Sequence, residues 1–152
     1  MINMDENNVQ NNVAVSEQNA VLRDLRLWLK NNVPWLSDKT ITISSLNLIN
    51  DNVSIVPTRG IRKRKQYACG GYQVYFPFNI YYRTSVEGNS AVETTFDAMD
   101  GIGSVIDSSD LTNMLSGDRS VDSFYQDTTT VLLARKGSVC DFMASYVLIY
   151  SN

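Results

Sequence analysis

The sequence predicts an α+β domain: a mainly antiparallel sheet of about five strands with long hairpins, and two helices packed on one face. Three observations predict it. Residues 71–84 and 138–151 alternate apolar and polar side chains with the two-residue period of a half-buried strand. Residues 17–32 and 89–107 place their apolar groups at helical spacing. The connections after the second and fourth strands are short enough for hairpins, which favours antiparallel pairing. A length of 152 residues fits one domain, assigned to residues 16–152. Residues 1–15, rich in Asn and poor in large apolar groups, are expected to form a flexible arm.

The first helix is expected over Glu17 to Asn32, where Val21, Leu22, Leu25, Trp28 and Leu29 share a face and Arg23, Asp24, Arg26 and Lys30 fall mostly opposite. Ser16 fits as its N-cap. Pro34 stops it, because the proline ring pushes Val33 toward extended backbone. Trp28 and Trp35 then fall where the helix must dock, which makes them core residues. Two short strands follow, in TITISSL (residues 40–46) and NVSIVP (residues 52–57), separated by the turn signal NDN.

The strongest strand is GYQVYFPFNIYYRT. Its Val74, Phe76, Phe78, Ile80 and Tyr82 form the core face, while Gln73, Tyr75, Pro77, Asn79 and Tyr81 take the other. Pro77 lacks an N–H, so this strand is expected at an edge or with a ladder break there. Tyr75, Asn79 and Tyr81 make its second face a candidate interface, apolar enough to be contacted and polar enough to survive exposure. The second helix, in NSAVETTFDAMDGIGSVID, carries a capping-box spacing at Ser90 and Glu93 and an apolar stripe of Val92, Phe96, Met99 and Ile106. Gly101 and Gly103 weaken its C-terminal half. Two long strands, residues 121–135 and 138–151, close the chain around a Lys-Gly turn, and the last buries Cys140, Phe142, Ala144, Tyr146, Leu148 and Tyr150.

Composition narrows the chemistry. The chain holds no His, so the commonest general base and the usual activator of Ser and Cys nucleophiles are missing, and no enzymatic role is expected. Cys69 and Cys140 are too few for a disulfide framework and have no metal-site spacing, so neither metal nor cofactor is expected. Asp100, Asp107 and Asp110 fall where a helix passes into a Ser-rich loop, a setting in which Asp caps and solvates. The polar start and the absence of a long apolar run argue for a soluble protein made in the cytoplasm, with no membrane partner.

Charge is divided along the chain. Arg59, Arg62, Lys63, Arg64 and Lys65 put five cations in seven residues, read as the loop of a hairpin. From Ser85 onward ten acidic residues face only Arg119, Arg135 and Lys136. The basic loop is thus a candidate contact with an acidic neighbour or with nucleic acid; its plainest reading is a solvated hairpin tip. A dedicated duplex binder is disfavoured by 16 acidic against 13 basic residues.

The order of elements and three stretches resemble the tail terminator proteins of long-tailed phages, the group also labelled phage minor capsid proteins: LRDLRLWLKNNVPWL; the run VSIVPTRGIRKRKQYACGGYQVYFPFNIYYR; and the terminal ASYVLIY preceded by a hairpin with SFYQD. Together they span roughly residues 21–151. The resemblance implies a structural virion protein at the tail–neck junction, forming a hexameric ring that caps the tail tube, stops its polymerisation and meets the head–tail connector. Its partners would be further copies of itself, the tail tube protein and the connector or head-completion protein, with DNA passing the lumen. The second helix is shorter and richer in glycine than that group's. The alternatives are a head-closure or tube-like component of the same particle, and a nucleic-acid module using the basic loop with Tyr67 and Tyr72 as stacking groups.

Overall fold

The computed structural model describes residues 11–44 and 49–152. The order is helix α1 (Val15–Asn32), a short 3-10 turn (Pro34–Leu36), strands β1 (Ile41–Ile43), β2 (Asn52–Pro57), β3 (Arg62–Gln66) and β4 (Tyr72–Ser85), helix α2 (Gly88–Ser108), and strands β5 (Ser120–Lys136) and β6 (Val139–Ser151). This is the expected α+β fold, with six strands rather than about five. The sheet runs β1-β2-β4-β6-β5, with β3 paired to β4 beside β2. Every pairing is antiparallel except β1 with β2, which is parallel.

Strand β4 is central. One side pairs along its length with β6. The other side is shared, with β3 alongside Tyr72 to Tyr75 and β2 alongside Phe78 to Arg83. Pro77 lies in the gap between those partners, so the expected ladder break, not an edge position, accommodates it. Its carbonyl accepts the Thr58 N–H at 3.0 Å, and in extended backbone the proline nitrogen points to that same side, where no strand requires a donor.

The period-two faces appear as read. Val74, Phe76, Phe78, Ile80, Cys140, Phe142, Ala144, Tyr146, Leu148 and Tyr150 are inaccessible to solvent, and Tyr82 nearly so. They pack with Val21, Leu22, Leu25, Trp28 and Leu29 of α1 and Met99, Ile102 and Ile106 of α2 in one continuous core. Aromatic rings fill its middle: Phe78 stacks on Tyr146 with centroids 5.6 Å apart, Phe124 meets both Phe78 and Trp28, and Phe96 meets Phe142 edge-on. Trp35 is partly buried against the same core and its indole N–H donates to the Ala98 carbonyl, tying the turn after α1 to α2.

Helix starts differ from expectation. The first begins at Val15, with Ala14 as N-cap and no side-chain cap bond, so Ser16 lies inside it. The second begins at Gly88 after Glu87, again without a side-chain cap, and the Ser90–Glu93 box does not form. Its buried stripe is Met99, Ile102, Gly103 and Ile106, while Val92 and Phe96 are only half-buried. Gly103 is a contact rather than merely a weak point: a Cβ there would run into the Gln126 side chain of β5. Residues 1–10 of the expected arm, and residues 45–46 of the first expected strand, fall outside the described residues. Val13, counted with the arm, is buried in the core.

A candidate subunit and partner interface

The largest departure from expectation is the basic run. Arg62, Lys63 and Lys65 are not in a hairpin loop but in β3, which pairs with Tyr72, Gln73, Val74 and Tyr75 and skips one register position around Arg64; only Arg59 precedes the strand. Four successive cations lack strand propensity and alternation, so the strand is imposed by its partner. The guanidinium of Arg62 lies 4.6 Å from the centre of the Tyr75 ring on one sheet face, and the ammonium of Lys63 lies 4.3 Å from that of Tyr72 on the other. Aromatic residues of β4 thus give β3 its footing. The other side of β3 pairs with no strand among the described residues.

Both ion pairs among the described residues lie elsewhere. Lys39 meets Asp51 at 2.9 Å, and Arg83 meets Asp141 at 2.7 Å. In the first, the hydrogen bond from Lys39, then that from Tyr82, holds Asp51 below the usual carboxylate range; in the second, Arg83 does the same for Asp141. Arg59, Arg62, Lys63, Arg64 and Lys65 therefore have no carboxylate partner among the described residues.

The candidate interface face falls on the side of the sheet away from the helical core. There Tyr75 stands opposite Ile149, Pro77 opposite Val147, Asn79 opposite Ser145 and Tyr81 opposite Met143. Tyr75, Asn79 and Tyr81 are half-buried. Asn79 accepts from the Ser145 hydroxyl at 2.7 Å and donates to the Tyr81 hydroxyl, so this face is organised by its own polar pairs.

At the far edge lies β5, paired among the described residues only with β6. Its Val131, Leu132 and Leu133 are 42, 37 and 50 % exposed, three adjacent apolar residues that alternation would not leave in solvent on both sides of a sheet. Helix α2 is held over this edge by Asp100. One carboxylate oxygen accepts the Thr130 hydroxyl at 2.6 Å, the Thr130 N–H at 3.1 Å and the Gln126 amide at 3.2 Å. Burial works against the charge, but these donors outweigh it and hold the Asp100 carboxyl below its ordinary range. A register shift between Thr128 and Val131 frees Thr130 from the ladder to make these bonds.

Near β3, Glu17 gathers one end of the sheet. It accepts the Tyr72 hydroxyl at 2.5 Å and the Asn152 amide at 2.9 Å on one oxygen, and the Tyr150 hydroxyl at 2.6 Å on the other. Burial first, then the carboxylate, raises the Tyr72 and Tyr150 hydroxyls above the usual range. Tyr72 is thus engaged at its hydroxyl by Glu17 and at its ring by Lys63, which leaves it poorly placed as a stacking platform for a base. Sequence reading gave Glu17 no role and took Asp100 for a capping or solvated Asp at a helix end, whereas Asp100 lies within α2 and reaches β5; both roles depend on contacts 133 and 30 positions away.

No group of three or more His, Cys, Asp or Glu side chains among the described residues is arranged to hold a metal ion. No helix among them is long and apolar enough to cross a membrane. The chain matches no protein-family model and no curated protein.

Proposed function

We propose that this chain is a structural virion protein, a tail terminator whose copies close into a hexameric ring that caps the tail tube, stops its growth and meets the head–tail connector. Its role is assembly rather than catalysis, and its place is the tail–neck junction after assembly in the host cytoplasm. The observation that carries the reading is the open sheet: on one side the cation-bearing β3 pairs only with β4 among the described residues, next to β2 and β1, and the other side is the long edge strand β5 with Val131, Leu132 and Leu133 in solvent. Two unlike free edges favour head-to-tail association, which closes into a ring when the rotation between copies permits. The three stretches that resemble tail terminators lie on α1 and the turn after it, on the β2–β3–β4 unit, and on β5 and β6.

Adding the purified chain to polymerising tail tube protein tests the proposal. Shortened tubes with a ring at one end are expected in negative stain. Tubes of unchanged length, with no ring bound, would remove the terminator reading, and binding along the tube or to the connector alone would favour the neck-component or tube-like alternative.

A further inference from the structure

Helix α2 carries Glu93, Asp97, Asp100 and Asp107 at offsets of four, seven and fourteen residues, which bring them onto one side of the helix, and it has no Lys or Arg. Asp100 fixes the orientation of that side, because it reaches Thr130 and Gln126 of β5. A groove between α2 and β5 follows, lined by Asp100, Ser104, Asp107, Gln126, Asp127 and Thr128 among others, with no basic residue in its walls. Glu93, Asp97, Asp107 and Asp127 are all exposed.

We propose that this acidic groove, together with the β5 edge beneath it, is the seat for the basic strand β3 of a second copy of the chain. The inference rests on the ring reading and specifies which surfaces meet. Charge complementarity carries it. The five cations of residues 59–65 and the acidic side of α2 are both without an ion-pair partner among the described residues. They lie at opposite edges of the sheet, with β4 and β6 between them, roughly 14 Å apart at the usual strand spacing, so one chain does not close the contact on itself. Strand β3 extends over about 13 Å from Arg62 to Gln66, and positions 93–107 rise about 21 Å along α2, so the strand fits within the row of acids.

The chemistry of recognition follows from the edge. Strand β5 shifts register at four places, so it does not offer an even row of backbone groups for regular strand addition. Side chains must do the matching. Lys63, paired with Val74, faces the helical side of the sheet, the side on which the neighbour's α2 carboxylates stand. Association then buries Val131, Leu132 and Leu133, which continue the β5 edge beyond the groove. Because the two surfaces differ, the contact is head-to-tail.

Charge reversal tests this. One variant carries K63E/R64E/K65E, the other E93K/D97K/D107K, all outside the packed core; Asp100 is left alone because it holds the helix. Wild type, each variant and an equimolar mixture are compared by native mass spectrometry and sedimentation, with circular dichroism checking the fold. Each variant alone is expected to self-associate at least about tenfold more weakly, and the mixture to recover an alternating assembly in which each acidic β3 meets a basic α2. Recovery by mixing distinguishes the contact from general damage. An assembled wild type indifferent to both reversals overturns this inference and leaves the ring reading standing. A wild type monomeric at every concentration overturns both. Association that requires co-purifying nucleic acid and vanishes with nuclease overturns the inference in favour of a nucleic-acid role for β3.

Discussion

Replacing Asp100 by Ala removes the single carboxylate on which Thr130 and Gln126 converge. Thr130 is 7 % exposed, so its N–H and hydroxyl lose their partner where water reaches poorly. A hydrogen bond to a charged acceptor contributes about 1.5–3 kcal/mol, and a stranded buried donor costs about 1–3 kcal/mol. Three bonds share one partly exposed oxygen, so the sum is reduced, and Asp100→Ala is expected to cost about 2–4 kcal/mol. Asp100→Asn keeps an acceptor without the charge and should lose roughly half as much. The sign with pH is fixed by the direction of the shift. A carboxyl held below its unfolded value contributes fully above that value and loses its contribution as pH falls through the folded one. Urea unfolding at about pH 7 should therefore separate wild type from Asp100→Ala, and the gap should close as pH falls below the ordinary carboxylate range. A neutral-pH difference under about 0.5 kcal/mol, or a gap unchanged by acid, would refute the role given to Asp100.

Three further outcomes follow from the packing. Phe78→Ala empties a site closed by Tyr146, Phe124 and Phe76 and should cost about 3–5 kcal/mol in chemical denaturation. Glu17→Ala should lower stability by about 2–4 kcal/mol and move the Tyr72 and Tyr150 hydroxyls back toward ordinary titration in an alkaline ultraviolet scan, since the carboxylate adds to burial in raising them. Cys69 is exposed and Cys140 buried, so a thiol reagent should label one cysteine per native chain and two in denaturant; rapid native labelling of both would contradict the placement of β6.

The sheet's core face was legible because β4 keeps a period of two from Val74 to Tyr82, which burial follows without exception, and β6 keeps it from Cys140 to Tyr146 before a run buried on both faces. Strand β3 was not, because RKRKQ has neither alternation nor strand propensity and becomes a strand only against Tyr72 and Tyr75. The parallel pairing of β1 with β2 was equally hidden, since neither short segment records its partner's direction. Ser16 and Ser90 looked like caps, yet the helices begin one residue before Ser16 and two before Ser90, and no side chain supplies the cap bond. For the candidate interface, Tyr75, Asn79 and Tyr81 share the second face of β4 as the alternation implied, whereas the cations read as a hairpin loop lie mostly in β3. The sequence did not disclose that the acids of α2 form one side of a groove, because that follows from Asp100 meeting a strand 30 residues later.

The account stands or falls on head-to-tail closure of identical copies. Native mass spectrometry of the full chain at low and high ionic strength tests it most directly. The expected result is a single closed hexamer at low salt that loosens as salt screens the contact between β3 and α2. A monomer under all conditions, or a symmetric dimer indifferent to salt, would contradict it.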